Sequence, residues 1–157
     1  MTRKTAIATL LLLGALLSGA ATYAQDSPAG GGEASLYERL GGLMPISVVV
    51  SDFIDALVPD PLMNANPAIE AARKRVPAAY LKYHVTAFVC LATGGPCGYT
   101  GRGMPESHVH LNITGREWDR MMTIFVDVLA NHDVPERETG ELVELLGTTR
   151  NAIVTAD

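Results

Sequence analysis

Apolar side chains recur every three or four residues in several separate segments, and this spacing restricts the fold more than any other feature. It predicts a helix from Pro45 to about Leu57, with proline in the first turn. A second helix is predicted from about Pro77 until Gly94 and Gly95 end it, and its inward stripe is expected to be Leu81, Val85, Phe88 and Ala92. No segment alternates with period two for long enough to indicate a sheet. We therefore expect an all-α domain.

Two further long helices are predicted in the C-terminal half. Thr114-Gly115-Arg116-Glu117 is typical of a capping box, and the helix that it opens should end near Val134-Pro135. This helix is expected to bury Trp118, Met121, Met122, Phe125, Val128 and Leu129. A last helix is expected to bury Leu142, Leu145, Leu146 and Ile153. The segment from Met63 to Ile69 has turn residues and no period, so it is predicted to be a corner.

The N-terminus has the order of a secretory signal peptide. Two basic residues precede an apolar run from Ala8 to Leu17, and small residues follow up to Ala24. The run is shorter than the roughly 20 residues that a membrane-spanning helix needs. The alternative is an uncleaved membrane anchor. We expect a signal peptide at residues 1–24, a flexible linker at 25–34 and a globular domain at 35–157, with a periplasmic or secreted location and no stable membrane insertion.

The mature domain would be small and acidic. Removing Arg3 and Lys4 with the leader changes the net charge from −5 to −7 and leaves 133 of the 157 residues. This length suffices for one domain with one core and is too short for two. Because phosphates repel an acidic domain, the chain is a poor candidate for binding nucleic acid or an anionic membrane.

Cys90 and Cys97 are the only 2 cysteines. In an exported protein such a pair can form a disulfide, provided that Gly94, Gly95 and Pro96 turn the chain back. The spacing is not CxxC, which argues against a redox-active or zinc site, and the absence of CxxCH excludes haem attachment of the cytochrome c type. The residues leave two possibilities open, a disulfide and two separate buried thiols.

His108 and His110 lie one residue apart in a chain with 4 histidines. Residues 104–111 should contain a short helix, in which neighbours on one face are three or four residues apart. The two imidazoles should therefore point to different sides, and the sequence offers no further ligands at a spacing that would complete a zinc site. His84 is expected to point inward from the second helix, as a hydrogen-bonded core residue or as a ligand. One inward histidine on each of two helices can bracket a flat ligand.

Four segments in this order resemble the group I truncated haemoglobins. They are SLYERLGG at residues 35–42, the helix that contains VVVSDFID, HVTAFVCLATGGP at 84–96 and YTGRGMPESHVHLNIT at 99–114. The resemblance covers Ser35 to about Val154 and implies a truncated globin with a two-over-two helical sandwich that holds non-covalent haem b. It further implies that His108 is the proximal iron ligand. Some similar members use a histidine at the position of His84 as the distal ligand; the alternative is that His84 pairs with a haem propionate.

The resemblance also implies which other residues contact the haem. They are Ile54, Leu81, Val85, Phe88, Arg102 and Met104. Arg102 would either pair with a haem propionate or remain a solvated loop residue. At the position after Phe53, where members often have a tyrosine, this chain has Ile54. At the position after His84, where members commonly have a glutamine, it has Val85. The distal pocket should therefore lack a donor, so strong retention of oxygen is not expected.

The predicted corner departs from the resemblance in a second respect. Members usually supply a phenylalanine there that packs against the haem, whereas this chain has Asn64, Asn66 and Pro67 in a longer segment. Because aromatic packing contributes much of the apolar burial of a macrocycle, this difference should weaken haem retention.

The expected function follows from the resemblance. It implies an exported haem protein that binds dioxygen, nitric oxide or carbon monoxide, or that passes electrons received from a donor. One alternative is a haem-free helical interaction module on the same scaffold. Another is a haem enzyme that acts on nitric oxide or peroxide. Peroxide chemistry needs a distal acid–base group, and only His84 could serve.

Overall fold

The computed structural model describes residues 33–157; the predicted signal peptide and residues 25–32 of the predicted linker lie outside this part. The helices of the described part are α1 Leu36–Arg39, α2 Leu43–Leu57, α3 Pro61–Ala65, α4 Pro67–Arg73, α5 Ala78–Ala92, α6 Met104–His108, α7 Gly115–Asn131, α8 Glu136–Gly147 and α9 Arg150–Ile153. A 3-10 turn, Val109–Leu111, follows α6. Two short strands, β1 Ile113–Thr114 and β2 Val154–Ala156, pair in parallel. The predicted all-α class is confirmed.

The core lies where α2 packs against α5 and α7. Its buried side chains are Ile46, Val50, Phe53, Ile54, Ile124, Phe125, Val128, Leu129 and Leu142. The rings of Phe53 and Phe125 meet edge to face, with centroids 5.3 Å apart. Truncating a core phenylalanine to alanine typically costs about 3–5 kcal/mol, so this contact between α2 and α7 is a major source of stability.

Helix α5 presents two different faces. Leu81, Val85 and Val89 pack against the core. Phe88 was predicted to share the inward stripe with Leu81 and Val85, but its ring packs instead on Tyr99, from the loop after α5. His84 also contacts that tyrosine. The reason is that a helix advances 100° per residue, so residues 84 and 88 lie to one side of the stripe that faces the core.

The corner prediction was wrong, because the segment forms α3 and α4. Asp60 and Asn66 act as N-caps, and each side chain accepts hydrogen bonds from two backbone N–H groups. Pro61 and Pro67 follow them at the first helical position, where proline is well tolerated. The Asn66 amide also donates to the Leu111 carbonyl oxygen at 3.0 Å, which links α4 to the segment after α6.

Helix α7 begins as predicted, with a capping box. The Thr114 hydroxyl accepts from the Glu117 N–H at 3.3 Å, and the Glu117 carboxylate accepts from the Thr114 N–H at 2.7 Å. Met121 and Met122 are half-buried, and Ile124, which was not predicted, is buried. The other residues predicted for the buried face are buried as expected: Trp118, Phe125, Val128 and Leu129.

The last predicted helix is divided into α8 and α9. The hydroxyls of Thr148 and Thr149 donate to the carbonyl oxygens of Leu145 and Leu146 at 2.6 and 2.7 Å. Such bonds compete with the helical ladder, which explains the break. Leu142 and Ile153 are buried as predicted, and Leu145 and Leu146 are half-buried.

None of the helices described between residues 33 and 157 is both long and apolar enough to cross a membrane.

Candidate functional site

His108 is the last residue of α6, and its ring is held by the backbone of its own helix. Its Nδ1 lies 2.8 Å from the carbonyl oxygen of Met104, one turn earlier. Since a carbonyl oxygen only accepts, Nδ1 carries the proton and donates, and Nε2 keeps its lone pair. Burial lowers the pKa of His108 below its ordinary 6.5 and outweighs the Met104 hydrogen bond, which raises it; the charge of His110 lowers it further. The result is an oriented, neutral imidazole, the form that binds a metal.

His110 has a different environment. It lies on the 3-10 turn after α6 and is exposed, whereas His108 is half-buried. The two imidazoles therefore differ in their exposure to solvent. Within residues 33–157, no three histidine, cysteine, aspartate or glutamate side chains come together in a group that could hold a metal ion.

His84 lies among three tyrosines. The ring centroids of Tyr80, Tyr83 and Tyr99 are 4.2, 5.0 and 6.1 Å from the imidazole centroid. Its Nδ1 is buried and has no hydrogen-bond partner among the described residues. Leaving a buried polar nitrogen unpaired costs about 1–3 kcal/mol, so this imidazole is available to a partner other than the described protein groups.

The loop between α5 and α6 places Tyr99 beside His84. The Tyr99 ring also meets Phe88 edge to face at 5.8 Å, and its hydroxyl donates to the Arg102 carbonyl oxygen at 2.9 Å. The ring lies so close to Gly101 that a Cβ there would be 2.3 Å from the tyrosine oxygen. Only glycine fits at this position without a rearrangement.

A disulfide joins the end of α5 to the same loop. Cys90 and Cys97, which the residues alone left open, are bonded, with Cα atoms 5.8 Å apart. The turn between them is closed by the Gly95 N–H, which donates to the Cys90 carbonyl oxygen at 2.8 Å. The bond fixes the chain two residues before Tyr99.

The other predicted site residues lie in three environments. Ile54 is 3% exposed and belongs to the core. Leu81 and Val85 are half-buried against that core. Met104 is half-buried, while Arg102 is exposed and has no acidic partner within 4.0 Å among the described residues.

Sequence reasoning missed the tyrosines around His84. The spacing of Tyr80 and His84, four residues on one helix, is a signal that could have identified the first contact. Tyr99 comes from a loop, where no periodicity indicates which residues it meets.

Two hollows lie elsewhere in the described part. One, of about 950 Å³, is lined by residues of α3 and α4, by the start of α7 and by residues from β2 to Asp157. The other, of about 380 Å³, lies between α2, α5 and the α7–α8 turn. Neither contains His84 or His108, so the site is identified by side-chain chemistry and not by cavity volume.

Comparison with known proteins gives matches over nearly all of the described part. Residues 35–155 match the family model of the bacterial-like globins. A group 1 truncated hemoglobin of Synechocystis is 28% identical over 118 residues, which are 72% of this chain and 90% of that protein. One from Mycolicibacterium paratuberculosis is 27% identical over 125 residues, covering 79% and 87% of the two chains.

Solved structures have the same fold. A truncated hemoglobin of Tetrahymena pyriformis in the Fe(III) form superimposes with a TM-score of 0.64 at 21% identity, covering 77% of this chain and 98% of that one. The 2/2 hemoglobin of a Synechococcus species, solved with covalently attached heme in the cyanomet state, gives a TM-score of 0.64 at 26% identity and the same coverage. The predicted two-over-two helical sandwich is confirmed.

Proposed function

The chain belongs to the bacterial-like globin family, and on this premise we propose that it is an exported group I truncated globin that holds haem b without a covalent bond. His108 is the proximal iron ligand. The site binds dioxygen or another diatomic ligand, or passes electrons received from a donor. The single observation that carries this proposal is the hydrogen bond from His108 Nδ1 to the Met104 carbonyl oxygen.

The histidines fit the group that the family implies. Haem supplies an iron that binds small ligands and exchanges one electron. His108 offers its Nε2 lone pair, and the Met104 carbonyl oxygen fixes its tautomer and orientation. Burial lowers the pKa of His108, so the imidazole stays unprotonated and able to bind a metal at neutral pH. The unpaired Nδ1 of His84 makes that residue the candidate for the distal side.

Apolar side chains on the distal side determine how strongly each diatomic ligand is retained. Ile54, Leu81 and Val85 carry no hydrogen-bond donor in their side chains. Dioxygen is stabilised by a donor more than carbon monoxide is, because its bound form has the larger charge separation. We therefore expect weak retention of dioxygen, which argues against a storage role.

We propose that His84 would be a second protein ligand of the haem iron when no gas is bound. A neutral imidazole nitrogen is a good iron ligand, and the apolar neighbours supply no competing group. A diatomic ligand would then have to displace His84, which favours electron transfer or gated uptake over simple storage. The alternative is that His84 pairs with a haem propionate.

Arg102 is proposed as a partner of a haem propionate. Its carbonyl oxygen accepts from Tyr99, which fixes the backbone, and its guanidinium has no acidic partner among the described residues. A charge-assisted hydrogen bond to a carboxylate is stronger than one between neutral groups.

Export is proposed from the first 24 residues, and the disulfide supports it. Disulfides persist in oxidising compartments and are rare in the cytosol. The Cys90–Cys97 bond is therefore compatible with a periplasmic or secreted protein.

Titration of the haem-free protein with haem tests the proposal. The expected result is a Soret band that saturates at one haem per chain and survives gel filtration. A haem-free interaction module would give no saturable band, and that result would contradict the proposal.

A further inference from the structure

Three aromatic rings surround His84, but they are not held equally. Tyr80 and Tyr83 lie on the same helix as His84 and are 53% and 64% exposed. Tyr99 comes from the loop, is half-buried and is fixed twice: its ring packs on Phe88 and its hydroxyl donates to the Arg102 carbonyl oxygen. Within residues 33–157, Tyr99 is the only one of the three rings with an aromatic or hydrogen-bond contact besides the one with His84.

The loop that carries Tyr99 is itself constrained on both sides of the ring. The Cys90–Cys97 disulfide holds the chain before it. After it, Gly101 lets the ring approach the backbone more closely than any other residue would. Tyr99 therefore has a defined position relative to α5.

This position restricts the side chain of His84. A histidine on a helix can adopt only a few staggered rotamers, and a fixed ring beside it removes those that would overlap the ring. Edge-to-face contacts of this kind also favour the rotamer that makes them.

From these contacts we propose that Tyr99 is a positioning residue: it holds the His84 imidazole in the orientation from which it ligates iron, and the Cys90–Cys97 disulfide holds Tyr99. The inference rests on the proposed function, because it concerns the sixth ligand of the haem. Tyr99 acts through His84 and exchanges no proton or electron.

The test compares the spin state of the ferric haem-loaded protein by optical and electron paramagnetic resonance spectroscopy. Wild type should be low-spin, and Tyr99→Ala should reduce the equilibrium constant for His84 coordination by about five- to tenfold, the size expected for one edge-to-face contact. Tyr99→Phe keeps the ring and should restore most of the low-spin signal. Tyr83→Ala is the matched control: it removes an exposed ring at 5.0 Å that has no second aromatic contact among the described residues, and its effect should be smaller than that of Tyr99→Ala.

A second variant and a second readout distinguish the loss of His84 positioning from misfolding of the variant. Gly101→Ala keeps Tyr99 but displaces its ring, so it should raise the high-spin fraction while leaving the circular dichroism spectrum unchanged. In the haem-free protein, NMR should show that the chemical shifts of the His84 ring protons change in Tyr99→Ala, and that the ring adopts more than one orientation although Tyr80 and Tyr83 remain beside it.

The disulfide is tested by the double variant Cys90→Ser/Cys97→Ser. It should raise the high-spin fraction in the same direction as Tyr99→Ala, and it should add no further change when combined with Tyr99→Ala. Independent, additive effects would overturn the role given to the disulfide.

The outcomes separate this inference from the proposed function. No saturable Soret band in wild type would contradict the proposed function itself. A Soret band with a high-spin wild type would leave His108 as the ligand and overturn the inference about Tyr99. The inference about Tyr99 is also overturned if His84→Ala becomes high-spin while Tyr99→Ala and Gly101→Ala stay low-spin. It is likewise overturned if Tyr83→Ala has as large an effect on the spin state as Tyr99→Ala.

Discussion

The Nδ1 atom of His108 donates a hydrogen bond to the carbonyl oxygen of Met104 across 2.8 Å, within a helix of 5 residues. The bond joins a side chain to the backbone of its own helix, so the imidazole is oriented before any ligand arrives. Preorganisation of this kind avoids an entropic cost at the moment of binding.

The first prediction concerns His84. Its replacement by alanine should convert the ferric haem protein from low-spin to high-spin and speed the binding of carbon monoxide, because no protein ligand has to leave first. Optical and magnetic resonance spectra with stopped-flow kinetics check this. Identical high-spin spectra in wild type and variant would refute the assignment.

The second prediction concerns the stability at acid pH of the start of α3, where Asp60 is the N-cap. Burial alone would raise the pKa of Asp60, but hydrogen bonds from the Met63 and Leu62 N–H groups and from Arg120 hold it below its ordinary 3.8. Below that pH, the Asp60 carboxylate therefore binds a proton more readily in the unfolded chain than in the folded one. The stabilisation is present above pH 3.8 and is lost as the pH falls further, toward the lower pKa of the folded state.

Asp60→Asn tests this prediction, and Asp55→Asn is its control. Asp60 is 5% exposed and accepts from Arg120 at 2.9 Å, so its loss should reduce the free energy of unfolding at pH 7 by about 2–4 kcal/mol. Asp55 forms an exposed pair with Lys82, which should contribute less than about 1 kcal/mol. Urea unfolding at pH 7 and pH 3 measures both. Equal losses in the two variants would contradict the larger contribution to stability expected of the Asp60–Arg120 ion pair.

The third prediction concerns the disulfide. Mass spectrometry under non-reducing conditions should find no alkylatable thiol in the native protein. Closing so short a loop stabilises the folded state by about 2–3 kcal/mol in the chain-entropy account, so reduction should lower the melting temperature. Two alkylatable thiols in the native protein would rule the bond out.

The fourth prediction concerns export. Protein recovered from the periplasm or medium of the host should begin at or near Gln25, because cleavage is expected after Ala24. N-terminal sequencing decides this. An intact Met1 in a cytosolic fraction would contradict it.

Helical periodicity predicted the main elements, because α2, α5 and α7 each bury one stripe against a common core. It failed at α3 and α4, which bury little. These two helices have Asp60 and Asn66 as N-caps, and the capping side chain with the proline that follows it replaces periodicity as the signal. Both signals are present in the sequence, but the prediction of a corner rests on the turn residues of the segment and on its lack of a period.

The candidate site was predictable only in part. The sequence spacing predicts different environments for His108 and His110, and the structure gives them different exposures, because α6 ends at His108 and His110 lies on the following 3-10 turn. The contact of Tyr99 with His84 depends on how a disulfide-closed loop folds back on α5. Tertiary contacts of a loop have no period, so local pattern cannot reveal them.

The most direct test is a haem titration of His108→Ala beside wild type and His110→Ala. We predict that His108→Ala weakens haem binding by about 100-fold or more, since the iron loses its proximal ligand, and that added imidazole restores part of the affinity. His110→Ala should bind haem like wild type, because its ring is exposed to solvent. Wild-type affinity in His108→Ala, or loss of binding in His110→Ala alone, would contradict the assignment of the proximal ligand.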